Sequence, residues 1–492
     1  MTTREIFQFD NTYATELEGM YAAWKGAVLA APSIVKFNRV LAEELGLDAD
    51  ELDNEEGAHF LSGSKSPEGA SPLAQVYAGH QFGGFSPQLG DGRALLVGEL
   101  IDAQGVRRDL HLKGSGATPF SRGGDGRAAI GPVLREYLVG EFMHVVGVPT
   151  TRSLAATLSG ETVMRDSPLP GAVLARVASS HLRVGTFEFF ARRGDKEKLQ
   201  RLADYAIKRH FPELFDRSAP YLNFLRAVVH RQAELVAKWM AVGFVHGVMN
   251  TDNTTISGET IDYGPCAFID GFDPKSVFSS IDQGGRYAYD SQAAAAKWNL
   301  YRLAETLLGL INPEDVDQAA AMATEAVEQF PQFHEQCLLT EMGAKLGLRS
   351  VVPADGELVE QLMSLMMSAR ADFTMTFRGL AASLRGDAAP VRKLFAESKA
   401  FDDWLERWRV RYESEPGEPQ DRAIAMDRIN PLYIPRNHKV EEALEAATAL
   451  DFKPFEKLLS VLDNPFVESE GQSDFAEPAP GSFGPYTTYC GT

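Results

Sequence analysis

The chain has 492 residues, 44% of them apolar and 24% charged, which is ordinary globular usage and excludes collagen-like and wholly disordered classes. A net charge of −20 disfavours broad binding to a nucleic-acid backbone, and no run reaches 18 uninterrupted apolar residues, so no membrane span is expected. Three cysteines cannot build a disulfide framework, and the first ten residues lack an apolar signal core, so the expectation is a soluble, cytoplasmic protein, monomeric by default.

At about 150 residues per domain, the length suggests two to four domains or one large two-lobed unit. No repeat recurs at a fixed period. The first 60 residues mix short helical patterns with acids, as in Leu41–Asp48, and residues 57–72 are rich in Gly, Ser and Pro and read as loop. A Gly-rich run, Gly83–Gly92, leads into an apolar strand, Arg93–Leu100. After turn residues Asp102–Gly105, the alternating Arg107–Lys113 completes a hairpin. Residues 114–126 hold five glycines, and a helix is expected from near Pro132, a good first-turn residue, to Val145. Strand-like segments follow around Ser153–Thr157, Glu161–Arg165 and Ala172–Val177.

The second half is mainly helical. Leu222, Leu225, Val228, Val229, Leu235, Val236, Trp239 and Met240 recur at helical spacing up to a stop at Gly243. Short β-like pieces, Phe244–His246, Thr255–Ser257 and Thr260–Asp262, come next, and helical patterns resume from Gln292 past Leu380. The acidic, Pro- and Gly-rich tail from Glu468 to Thr492 is expected to be loosely held. Within this acidic chain, residues 107–193 carry twelve Lys/Arg against seven Asp/Glu, a basic island suited to a small, highly charged anion.

The chemistry starts at Lys113. A lysine ending a strand, after a Gly-rich turn and before a helix bearing an acid, is the layout with which protein kinases neutralise phosphate oxygens. Glu136 and Glu141, 23 and 28 residues on, are both candidates for its partner, and helical phase does not decide between them. Neither the dinucleotide glycine spacing nor a P-loop occurs. His246-Gly-Val-Met-Asn-Thr-Asp-Asn253 has the length and end residues of a kinase catalytic loop, and Asp262-Tyr-Gly264 follows nine residues later. An amide oxygen at Asn253 and a carboxylate at Asp262 are the hard ligands that Mg²⁺ or Mn²⁺ takes. Val248 stands where a kinase has its catalytic Asp, and valine accepts no proton. Asp252 is the nearest replacement, with a turn-capping role as the alternative.

The chain resembles the selenoprotein O (SelO, YdiU) family of protein adenylyltransferases. The motifs are Tyr77-Ala-Gly-His-Gln-Phe-Gly-Gly-Phe85, Gln88-Leu-Gly-Asp-Gly-Arg93, His111-Leu-Lys-Gly-Ser-Gly116, Gly124-Asp-Gly-Arg127, Pro149-Thr-Thr-Arg152, His246–Asn253, Asp262-Tyr-Gly-Pro265, Asn430–Asn437 and Cys490-Gly-Thr492. The resemblance implies an α+β, protein-kinase-like two-lobed fold with extra terminal elements. Residues 1–185 would form the N-terminal extension and β-rich lobe, and 186–492 the helical lobe and tail. It implies that ATP binds reversed and that AMP passes to a Ser, Thr or Tyr hydroxyl of a protein. Gly90, Gly92, Arg93 and Lys113 would contact nucleotide, Asp125 and Gly126 would meet the adenosine, and Arg176 and Arg183 would clamp the triphosphate. Asp252 would be the general base, Asn253 and Asp262 the metal ligands, Glu136 the partner of Lys113, and Cys266 and Cys490 a redox pair. A catalytically dead nucleotide-binding scaffold and an unusual kinase using Asp252 are the competing readings.

Overall fold

The structure, a computed structural model, describes residues 6–489. The α+β expectation holds. The strands are β1 (Tyr21–Ala23), β2 (Ser33–Phe37), β3 (Leu73–Gln75), β4 (Gly79–Gln81), β5 (Gly84–Ser86), β6 (Ala94–Ile101), β7 (Arg107–Lys113), β8 (Ala128–Ala129), β9 (Arg152–Met164), β10 (Pro168–Ala178), β11 (Phe244–Val245) and β12 (Ala267–Phe268). Among the described residues, one antiparallel sheet runs in the order β1-β3-β6-β7-β10-β9-β2, with β8 added to β10; β4–β5 and β11–β12 pair separately.

Both faces of the sheet are covered, which explains why β6 is buried along nearly its whole length rather than alternating. Val97, Leu110, Leu112, Leu154, Val173 and Ala175 pack on one face against Leu41, Leu52 and Leu61 from the short N-terminal helices. Leu96, Ala156 and Leu174 point the other way, against Leu134, Leu138 and Phe142 of the helix Ile130–Val145. That apolar cluster continues without a break through Leu182 and Phe187 to Leu225, Val229 and Trp239 of the helix Pro220–Ala241. A second cluster forms around Phe373, Phe377, Trp404 and Trp408, whose indoles donate to the carbonyls of Leu358 and Leu346 at 2.9 Å. No helix among the described residues is long and apolar enough to cross a membrane.

Four local expectations change. The strands expected around 153–157 and 161–165 are one, β9, because Gly160 adopts a φ of +74° and carries the chain through an irregularity opposite Gly171 instead of ending the strand. Residues 57–61, expected as loop, belong to the helix Glu55–Leu61: Asn54 caps the first turn, and Gly57 lies so close to the Leu52 carbonyl that a side chain would collide there. Thr255–Ser257 and Thr260–Asp262 make only isolated bridges, to Arg183 and Thr150. The tail is not loose as far as Tyr489. Thr488 is 2% exposed, receives a bridge from Ser279, and donates through its hydroxyl to the Pro265 carbonyl at 2.9 Å.

Candidate active site

Asp109, His111 and Lys113 share one face of β7, with Leu110 and Leu112 on the other. The polar face is buried, so its charges must be paired. Lys113 Nζ donates to Glu136 Oε2 at 2.6 Å and to Asp262 Oδ1 at 2.7 Å. Arg176, on the neighbouring β10 and 2% exposed, reaches the same two acids, Glu136 Oε1 at 3.0 Å and Asp262 Oδ1 at 2.7 Å. Two cations and two carboxylates thus form a closed quartet. Burial alone would raise Asp262 and Glu136, but Lys113 and Arg176 outweigh it and hold both carboxyls below their ordinary range. Asp262 also sits at a φ of +60°, a backbone region that non-glycine residues enter at a cost of about 1–3 kcal/mol.

Glu141 is placed elsewhere. Five residues along a helix turn a side chain through about 140° relative to Glu136. Glu141 accepts from Arg152 Nη2 at 2.8 Å, Asn38 Nδ2 at 2.8 Å and the Ser153 amide at 2.9 Å.

A cavity of about 580 Å³ opens in front of the quartet. Gly90, Gly92, Arg93, Lys113, Asp125, Gly126, Arg176, Arg183, Asp252, Asn253 and Asp262 all line it. The structure therefore brings these eleven residues to one space. Gly126, at a φ of +67°, packs directly on the backbone of Gly116 and Ala117, where no side chain fits. Asp125 is held by Arg165 Nη1 at 2.8 Å. Arg183, 3% exposed, spans the cavity floor: it donates to the Asp252 carbonyl at 3.1 Å, lies 4.3 Å over the Tyr77 ring, and approaches Asp262 Oδ2 at 3.7 Å and Asp91 Oδ1 at 3.8 Å.

Val248 lines the same cavity and offers nothing to bind. Asp252 Oδ2 accepts from Gln81 Nε2 at 3.2 Å, while Oδ1 is buried without a hydrogen bond among the described residues. Burial pushes this carboxyl up to about 6. Asn253 uses its amide nitrogen on the Val248 carbonyl at 3.1 Å, which leaves its oxygen for the cavity. Asp262 commits Oδ1 to Lys113 and Arg176 and makes no hydrogen bond through Oδ2 among the described residues. One amide oxygen and one carboxylate oxygen thus face the same space, a donor set that suits Mg²⁺ or Mn²⁺. No group of three or more His, Cys, Asp or Glu that could hold a metal occurs among the described residues, so phosphate oxygens and water would have to complete such a shell.

Cys266 is 2% exposed and burial pushes its thiol up to about 12; Cys490, the other half of the expected redox pair, lies outside the described residues. Asp91 and His111, not among the site residues expected from the sequence, support the two arginines. For His111 a signal was available: it stands between Leu110 and Leu112 on a strand, and a polar residue on the opposite face from two leucines implies a buried partner.

The family model described as protein adenylyltransferase SelO matches residues 5–463. The chain is 57% identical over 488 residues to a protein nucleotidyltransferase YdiU of Cereibacter sphaeroides, covering 99% of this chain and 100% of that protein. It is 54% identical over 489 residues to one of Rhodopseudomonas palustris, covering 99% of each.

Proposed function

The chain belongs to the SelO family of protein adenylyltransferases, and from that membership in a nucleotide-transferring family we propose that it moves AMP from ATP to a Ser, Thr or Tyr hydroxyl of an acceptor protein. We read residues 1–185 as a β-rich kinase-like lobe with its extension and 186–492 as the helical lobe, with ATP lying reversed between them so that its α-phosphate faces Asp252. The observation that carries this reading is the pairing of Val248 with Asp252: the kinase base position is inert, and a carboxylate with a buried oxygen free of hydrogen bonds among the described residues lies four residues on, in the same cavity as Lys113, Arg176 and Arg183.

The acceptor oxygen attacks the α-phosphorus, its proton passes to Asp252, the α–β P–O bond breaks, and pyrophosphate leaves. A carboxylate with an unused, buried oxygen is already desolvated for that proton. Negative charge growing on the nonbridging oxygens meets Arg176 and Arg183, whose planar forks bind two oxygens each, and Lys113, a point charge. Glu136 and Asp262 hold Lys113 and Arg176 in place, so the position of both cations is set by the protein itself. Asn253 and Asp262 would hold a divalent cation, which neutralises phosphate charge when bound.

ATP labelled at the α-phosphate should label acceptor protein, and γ-labelled ATP should not. Asp252→Ala should retain ATP binding and lose about 10²–10⁴-fold in transfer. Labelling from the γ-phosphate would make the protein a kinase. Binding without any transfer in the wild type would make it a scaffold.

A further inference from the structure

We infer that acceptor segments bearing acidic side chains beside the modified hydroxyl dock in a second cavity, on the far side of the β4–β5 hairpin from Asp252; this rests on the adenylyl-transfer reading above. The cavity holds about 320 Å³ and is lined by His80, Phe85, Glu188, Arg192, Arg302 and Thr306, from the hairpin, the helix Val184–Arg192 and the helix Gln292–Ile311.

Alternation along the hairpin divides the two spaces. Gln81 lines the first cavity and bonds Asp252, while His80 and Phe85 line the second. The second cavity is coupled to the catalytic segment through its floor. Glu188, 3% exposed, accepts from the Thr251 hydroxyl at 2.5 Å and pairs through its other oxygen with His80 Nδ1; Thr251 in turn accepts from the His80 amide at 2.7 Å. Thr251 immediately precedes Asp252. A chain segment resting here lies beside the proposed base.

The charge balance selects the occupant. Both oxygens of Glu188 are already used, and Glu305 is bound by Arg302 at 2.6 Å. Arg192 lies 5.3 Å over the Phe85 ring, and Arg286 lies 4.8 Å over Trp298, whose ring Arg302 also approaches at 4.9 Å. Neither Arg192 nor Arg286 has a carboxylate partner among the described residues. Guanidinium stays charged at any physiological pH and binds carboxylates as a fork. In a chain of net charge −20, unpaired arginines on an aromatic shelf beside the active site complement an acidic ligand.

Two matched peptides test this, each holding Ser, Thr and Tyr, one flanked by Glu and the other by Lys, with transfer read from α-labelled ATP. The wild type should favour the acidic peptide by about tenfold or more in kcat/KM, mainly through KM. Arg192→Glu, an exposed position, should erase most of that preference, and adding Arg286→Glu should reverse it, with ATP affinity unchanged. Equal use of both peptides by the wild type, or an unaltered preference in Arg192→Glu, overturns the docking site and leaves adenylyl transfer standing. Labelling of neither peptide by protein that binds ATP overturns the transfer reading, and the docking site with it.

Discussion

Arg176 Nε donates to His111 Nδ1 at 3.2 Å, across the register that pairs the two residues on β10 and β7. A guanidinium has no acceptor, so Nδ1 must be the lone-pair nitrogen, and the ring proton sits on Nε2, aimed at Asp91 Oδ2 at 3.1 Å. His111 is therefore neutral in this arrangement; burial lowers its pKa and outweighs the opposing pull of Asp91. Asp91, held at about 2 against its burial by the His111 hydrogen bond and by Arg183, thus orients Arg176 through an imidazole and lies 3.8 Å from Arg183.

His111→Phe should keep the ring volume and lose both hydrogen bonds. We expect kcat to fall by about 10–100-fold, as for other outer-layer positioning groups, with a smaller change in KM for ATP. Steady-state kinetics at fixed acceptor concentration, on protein whose circular dichroism matches the wild type, would check this. A change in KM alone would mean that His111 does not position Arg176.

The two helix acids should separate cleanly. Glu136→Gln leaves Lys113 and Arg176 sharing a single carboxylate, so transfer should fall by about tenfold or more. Glu141→Gln removes the nearer of the two carboxylate partners of Arg152, leaving Glu44 at 3.4 Å, and should cost up to about 3 kcal/mol of stability with little effect on ATP affinity. Urea unfolding and nucleotide titration on both variants distinguish the two roles.

Gly79 faces Asp252 so closely that an added Cβ would lie 2.5 Å from Oδ1. Gly79→Ala should therefore displace the carboxylate or the hairpin and depress transfer by about 10²-fold, since small misplacements of a reacting group carry costs of that size. ATP affinity should stay within about twofold, because Lys113, Arg176 and Arg183 lie outside the β4–β5 hairpin. A variant as active as the wild type would show that Asp252 is not used from its observed position.

Lys345 is buried against Phe377, with Nζ 4.4 Å from the ring centroid, and burial lowers its pKa to about 7. The unfolded chain holds this proton up to its ordinary value near 10.5, so between about pH 7 and 10.5 the unfolded state binds more protons and stability rises with pH. Lys345→Met should flatten that slope and raise stability at neutral pH by about 1–2 kcal/mol, net of the lost cation–π contact. Denaturant midpoints at pH 7 and pH 10 would check both effects.

The hairpin of β6 and β7, the helix with Glu136, the helix Pro220–Ala241 and the spacing from His246 to Gly264 were all legible in the chain, because each is set by local periodicity, turn chemistry or motif length. Family membership followed from the same long motifs. The loop expected from residue 57 and the gap expected between Thr157 and Glu161 both fall on glycines, Gly57 and Gly160, and a glycine marks conformational freedom but not whether a close neighbour or a strand irregularity is using it. The choice of Glu136 over Glu141, the cross-strand link from Arg176 through His111 to Asp91, the covering of Asp252 by the β4–β5 hairpin and the docking of Thr488 on Pro265 depended on the tertiary structure. Each joins residues separated by 20 or more positions, with side-chain directions set by strand register, helix phase and packing together. One-dimensional spacing carries the first two only within a single element and does not carry the third.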